Sequence, residues 1–391
     1  MAPTDTMVPV QLGFLPPGLA IDDPDHPGLR RAGDRATAPY GGSSVEVHTC
    51  EATDLAAPGA PAPDLLELGF DLADLSGLAE LQAACARIRA AGRIDDDDAA
   101  TIRAALDGAV LPLAGGRRVK VQYLADEGFI MRTGGPGGIS LVAPQSDGSN
   151  DHGVATSVHA DQDVYGTPLT QLMDGRAPSL LRHHSPDGSN DDARLLLVNL
   201  WIPLQQVVQP LVLLDGRSLD RRRHQLRYGL PTGSFLDRDD ELAINDIWTF
   251  LHDPGQRWYF RSQLDHTSAY VFDTLSTAHG AGTLPGEDVA ARAYRALEVA
   301  EAVAAGGDAD AVRDAVAGAH PLELPADATD ALRDAVAAMA SVLDEAERDP
   351  AGICGAGAAR WTAASRAARR GVVRLSLELR LVVTLVDESQ P

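Results

Sequence analysis

Lysine is nearly missing from this chain. Lys120 is the single one among 33 basic residues, against 56 acidic ones, and the formal net charge is −23. A surface so poor in cations excludes the clustered Lys and Arg that nucleic-acid phosphates require. The surplus negative charge favours solubility and carries no information about fold. Cysteine is scarce too: Cys50, Cys85 and Cys354 are odd in number and far apart. That excludes a disulfide framework or a cysteine zinc motif and suits a reducing cytoplasm. No run of about eighteen apolar residues occurs without a charge, so no membrane span is expected. The N-terminus lacks the basic start and apolar run of a secretory signal. What is present is ample: 391 residues with 45% hydrophobic content can bury a large core, as two or three domain-sized units or one elaborated domain. The Ala- and Arg-rich usage resembles that of a high-GC bacterial proteome.

Residues 1–64 are rich in Pro and Gly and read as an extended arm or irregular cover. Helical periodicity follows over 71–113, where Leu78, Leu81, Ala84, Ile88 and Ala91 recur at three- and four-residue spacing. Asp95 to Asp98 offer N-caps for a second helix. Strand signals begin at 118 with RRVKVQYLA and GFIMRT, and continue with ARLLLVNLWIPLQ and QPLVLLD. QRWYFRSQL (256–264) and SAYVFDTLS (268–276) read as a strand pair joined by a turn at Asp265-His266. Short strands with frequent turns predict a sandwich or double-sheet barrel. From Pro285 to about Ala368 the chain becomes Ala-rich and helix-periodic, and a strictly alternating strand follows at 371–387. The expected organisation is a mainly β core with flanking helices, α+β overall. Residues 1–117 form an arm and helices covering the core. The core itself is 118–285 plus 370–391, and 286–369 is an α-helical insertion serving as a lid or dimer surface.

Chemistry concentrates in TSVHADQDVYG, at 156–166. On an extended segment residues two apart share a face, so His159 and Asp161 converge on one point, as two ligands of a divalent metal must. Two His and one carboxylate on one face leave open positions, the arrangement of non-haem Fe(II) oxygenases. A third ligand has to come from farther along: His279 ends an apolar strand, and His252, His224 and His266 are its rivals. Position alone leaves that choice open. His183 and His184 read as solvated loop residues. On the last strand Arg374, Ser376, Glu378 and Arg380 share a face, which is either exposed or lines a polar cavity. Arg-x-Ser can grip a carboxylate through the guanidinium fork and the hydroxyl. Asn199 and Trp201 share a face of their strand and are candidates for the pocket wall.

Taken in order, these pieces resemble a known family. VHADQD (158–163), VNLWIPL (198–204), PLVLLD (210–215), LHDPGQRWYF (251–260), VFDTLSTAHGA (271–281) and RLSLELR (374–380) look like the hydroxylase/desaturase group of secondary metabolism, the AsaB- and CmcJ-like proteins, within the double-stranded β-helix oxygenases. The resemblance implies a double-stranded β-helix, or jelly roll. It implies Fe(II) held by His159, Asp161 and His279, with 2-oxoglutarate gripped by Arg374 and Ser376. With O2, such a site hydroxylates, desaturates or cyclises a small molecule. The expected partners are that substrate and a second copy of the chain in a homodimer, with no nucleic acid and no membrane, in the cytoplasm. Two departures stand out. Ile202 replaces the Arg that usually follows the Trp of the Asn-x-Trp motif, which predicts one polar pocket contact fewer. The helical block also separates His279 from Arg374. Two alternatives follow: a non-catalytic helper or binding subunit of the same fold, and an O2-dependent iron enzyme that does not use 2-oxoglutarate.

Overall fold

The short apolar runs become strands of two facing sheets in the computed structural model, which describes residues 7–33, 45–125, 129–142, 148–166, 173–232 and 243–386. One sheet has ten strands and the other eight. At the middle of the first lie, side by side, Trp258–Phe260, Leu211–Leu214, His279–Ala281 and His159–Ala160. The second runs Ser268–Asp273, Leu195–Gln205 and Arg374–Leu385, and Arg374–Leu385 is flanked beyond by Ile130–Gly134 at one end and Arg118–Leu124 at the other. Along the chain these strands pass back and forth between the sheets. That traffic, with antiparallel neighbours in the eight except for the parallel pair Ile130–Gly134 and His152–Gly153, makes the core a double-stranded β-helix.

Alternation decides what each face buries. Between the sheets, Trp201, Tyr270, Phe272 and Phe70 from one side meet Leu211, Leu213 and Tyr259 from the other. On the outer face of the eight-stranded sheet, Val198, Leu200, Ile202, Leu377, Leu379 and Leu381 join one cluster with the helices. Ile202 is therefore outside the barrel, paired in register with Leu377. No contact of the interior is lost there, contrary to the expectation from the missing Arg.

The helical block comprises Glu287–Ala305, Ala309–Ala317, Asp330–Arg348, Pro350–Ile353 and Ala358–Gly371, between the strand of His279 and that of Arg374. Asp308 and Thr329 cap two of these helices by accepting from backbone N–H three residues on. Their apolar stripes, such as Leu332, Val336, Met339 and Leu343, complete the outer cluster.

Three parts of the chain depart from the sequence pattern. Trp258–Phe260 and Ser268–Asp273 are not a hairpin; they lie in different sheets, because the chain crosses over between them. The first 64 residues are not irregular throughout: Met7–Phe14 pairs with Glu46–Asp54 over eight residues, and Trp258–Phe260 extends that edge in parallel. Its Pro9 lies where the ladder tolerates it, near the sheet edge. The pair Gln225–Thr232 and Ala243–Phe250 carries no clean alternation, and the sequence pattern passes over it.

Asp71, on the strand Phe70–Asp74, is fully buried with only backbone donors, from Leu72 and Gly115, at one oxygen. Burial pushes its carboxyl up to about 6 from an ordinary 3.8. A raised acid stabilises the fold fully below its unfolded value and loses that contribution as pH rises through the folded one. Wild-type stability is therefore expected to fall by about 3 kcal/mol from this group between about pH 4 and pH 6. Asp71→Asn should flatten that slope in denaturant titrations across the range, and an unaltered slope would contradict the assignment.

Candidate metal centre

His159 and His279 stand opposite each other on neighbouring antiparallel strands. Their rings lie 4.4 Å apart, tilted at 50°. Each imidazole is fixed the same way. Nδ1 of His159 is 2.8 Å from Ser157 O, and Nδ1 of His279 is 3.0 Å from Thr277 O. A carbonyl only accepts, so Nδ1 carries the proton in both rings and Nε2 presents a lone pair. Asp161 Oδ1 lies 3.3 Å from His159 Nε2 and 3.9 Å from His279 Nε2. The strand ends at Ala160, yet the i, i+2 relation survives and Asp161 turns to the same side as His159.

Three potential ligand atoms thus converge on one point. Ligand atoms bound at about 2.1 Å and about 90° to one another lie about 3 Å apart, close to these spacings. The donor set fits a divalent cation that takes imidazole and carboxylate. The same three residues form one of two clusters of potential ligands among the described residues; the other, His320, Asp344 and Glu347, is fully exposed.

Electrostatics keep the set ready. Burial pulls the His279 imidazole down to about 4, with His159 adding to the effect, so it stays neutral. Burial works to raise the Asp161 carboxyl, but His159, His279 and Arg380 together outweigh it and hold the group well below the usual range. Its second oxygen is occupied. Oδ2 accepts from the Asn199 amide and lies 4.0 Å from Arg380 Nη2. Asn199 is oriented in turn by the Thr274 hydroxyl, which donates to its Oδ1 at 3.0 Å. Oδ1 is thereby the oxygen left facing the two imidazoles. Outer partners of this kind typically change metal affinity 10–100-fold. Asn199→Ala should lower iron affinity within that span, read by competition with a chelator, while iron stoichiometry at saturation stays the same. Unchanged affinity would show that the amide does not orient the ligand.

The same strand face leads on to Arg374 and Ser376. Both are buried, at 1% and 0% exposure. Arg374 Nη1 donates to Gln209 O at 2.6 Å, and the guanidinium lies 5.1 Å from the Trp201 ring centroid. Arg374 Nε, Ser376 Oγ and Trp201 Nε1 are buried with no hydrogen-bond partner among the described residues. Burial draws the Arg374 guanidinium down to about 10, although Glu378 opposes this. The polar face is therefore a buried wall, not an exposed one.

Other sequence candidates lie elsewhere. His252 stacks on His48 at 4.0 Å and 12°, against the edge of Phe14, and His224 faces Asp253 at 3.6 Å. Neither belongs to the triad cluster, and neither does His266. His183 is not solvated: it is buried at 1% exposure, edge-on to Tyr165, and His184 is half-buried. Arg380, on the same face as Arg374, lies 4.0 Å from Asp161 Oδ2.

Sequence reasoning passed over two supporting groups. Arg227 binds Asp163 at 2.6 Å and Asp187 at 2.6 Å, tying the segment after Asp161 to the strand Gln225–Thr232. Glu287, the first residue of its helix, accepts from Gln209 N at 2.8 Å, Leu284 N at 3.0 Å and Gly137 N at 3.2 Å. It joins the helical block to the loop whose carbonyl receives Arg374. A buried acid at the head of an Ala-rich helix looks like an ordinary first-turn carboxylate in sequence.

A family model described as "YDMC: Oxidoreductase/YMDC permease-like domain" matches residues 139–287, a span that includes His159, Asp161 and His279. No curated protein matches the chain. Among solved structures, an iron and alpha-ketoglutarate-dependent endoperoxidase, NvfI, is similar over 97% of this chain and 98% of that one, at 14% identity and TM-score 0.45. The same endoperoxidase in a different conformation gives the same coverage and identity, with TM-score 0.46.

Proposed function

We propose that the protein is a non-haem Fe(II)- and 2-oxoglutarate-dependent oxygenase that hydroxylates, desaturates or cyclises a small molecule, as in bacterial secondary metabolism. One observation carries the reading. A His-Asp-His triad on one sheet and a buried, incompletely satisfied Arg-x-Ser pair on the facing sheet are linked by Arg380, on the strand of Arg374, 4.0 Å from Asp161. A buried guanidinium with an idle Nε–H is costly unless an anion completes it, and a dianionic 2-oxo acid has a carboxylate for that end and a chelating group for the metal.

In this reading His159, Asp161 and His279 hold the iron and leave its remaining positions open to ligands. With O2 and 2-oxoglutarate, the bound metal supplies an oxidant able to take hydrogen from an unactivated carbon. The chain's own work is placement. Ser157 O and Thr277 O keep both imidazoles in the ligating tautomer. Asn199 and Arg380 hold Asp161 to one oxygen. Arg374 and Ser376 fix the distal carboxylate, and the Trp201 face under the guanidinium keeps water from it. The helical block supports this end through Glu287.

The test is substrate-free turnover in air. Fe(II)-loaded protein should convert 2-oxoglutarate slowly to succinate and carbon dioxide, and His159→Ala should not. Protein that holds iron yet forms no succinate and binds no 2-oxoglutarate would fit the O2-only or helper reading instead.

A further inference from the structure

A cavity of about 340 Å3 opens beside the turn that leads from Asp273 toward His279. Leu196 of the outer cluster and Leu68 of the cluster between the sheets both line it, so it lies where the chain crosses between sheets, at the end of Leu195–Gln205 far from the residues that pair beside Arg374. For a chain of net charge −23 its lining is unusual: Arg182, Arg217 and Arg221 all reach it, with His184 between them. Two of the three guanidiniums are neutralised. Arg182 pairs with Asp191 at 3.1 Å, and Arg217 pairs with Asp215 at 3.0 Å and Glu67 at 3.2 Å.

Arg221 differs. Its Nη1 donates to Gln225 Oε1 at 2.8 Å and Ser276 O at 3.0 Å, both uncharged acceptors. Among the described residues it makes no ion pair with a carboxylate. Burial draws its guanidinium down to about 10, with Asp273 only partly opposing. Its direct hydrogen-bond partners are neutral, the buried Asp273 carboxylate in the same lining offsets only part of its charge, and it faces a cavity large enough for an organic anion. His184 adds an imidazole that burial and Arg221 keep toward the neutral form, so it offers a hydrogen bond without further charge.

We propose that this cavity is a binding site for a small oxyanion, a phosphate or carboxylate group, with Arg221 as its central ligand and Arg182 and His184 beside it. Such a group presents two or more oxygens to a guanidinium fork, the geometry that Arg recognises. The two acids of the cavity bound the ligand: Glu67 at the exposed rim and the buried Asp273 repel a highly charged anion, which favours a single phosphate or carboxylate. The bound group would rest on Ser276 and Thr277, on the reverse of the segment that carries His279, and apart from the Arg374 end of the barrel.

The experiment is calorimetric titration of the full-length, metal-free protein at low ionic strength with inorganic phosphate and, separately, with acetate. Saturable binding of at least one is expected, and the tighter of the two identifies the head group. Arg221→Gln should weaken it about 10–100-fold, as loss of one charge-assisted hydrogen bond does. Glu67→Gln, at an exposed position, should tighten it about twofold. Both titrations are run on Arg374→Ala protein, so that the carboxylate-binding end of the barrel does not contribute. No saturable binding of either anion, or equal binding once Arg221→Gln is added, would overturn the proposal. If circular dichroism shows Arg221→Gln unfolded, Arg182→Gln and Glu67→Gln decide: weaker and tighter binding respectively support the site, and no change in either overturns it.

Discussion

Replacing His159 or Asp161 by Ala should abolish stoichiometric Fe(II) uptake, with affinity falling more than about 100-fold, beyond what the loss of an outer partner costs. The reason is geometric. The three ligand atoms converge on one point, and each removal leaves two ligands whose remaining spacing cannot enclose a cation. His279→Ala should behave alike, since its Nε2 is the third atom of the cluster. His252→Ala is the control: its ring is engaged with His48 and Phe14 and contributes nothing to the triad. It should retain iron while losing some stability from a broken aromatic stack. Metal analysis of the four purified variants, after equilibration with Fe(II) in the absence of oxygen, checks the set. Iron retained in His159→Ala, or lost in His252→Ala, would remove the triad as the metal site.

Arg374→Ala carries the second large effect. Two charge-assisted hydrogen bonds at about 1.5–3 kcal/mol each correspond to a loss of about 10²–10⁴-fold in 2-oxoglutarate affinity. Iron stoichiometry should survive, because Arg374 touches no ligand of the triad and its own contact is Gln209 O. Arg374→Lys should recover only part of the affinity, since an ammonium cannot reproduce the planar fork over Trp201. Ser376→Ala should cost about tenfold, the loss of one hydrogen bond. Arg380 is a poor control for this series. It lies 4.0 Å from Asp161 Oδ2, so Arg380→Ala is expected to disturb iron binding as well. Equal 2-oxoglutarate binding by wild type and Arg374→Ala, measured by competition under nitrogen, would separate this residue from the co-substrate.

Much of this arrangement was legible before any coordinates, for identifiable reasons. His159 and Asp161 are two apart on an extended run, and that period alone puts them on one side. Strict alternation from Val373 to Arg380 made the polar face visible, because buried polar side chains on a strand are costly enough to mean something. What stayed hidden depends on contacts distant in sequence. His279 could be set against His252 only by the resemblance, since its place beside His159 comes from a strand pairing 120 positions apart. The hairpin expected for 256–276 failed because nothing local records that the chain changes sheets between Phe260 and Ser268. Ile202 looked like a gap in the pocket until the pleat turned it outward. Glu287 and Arg227 carried no signal, because an acid at a helix start and an arginine in a strand are ordinary until their partners are seen.

The most direct measurement is anaerobic titration of 2-oxoglutarate into the Fe(II)-loaded wild-type protein, followed by visible absorbance. The expected result is a saturable charge-transfer band at about one equivalent per iron, absent in His159→Ala and shifted to much higher concentration in Arg374→Ala. A protein that holds one iron through the triad, yet gives no band at any 2-oxoglutarate concentration, would contradict the assignment of the two sites to one oxygenase centre.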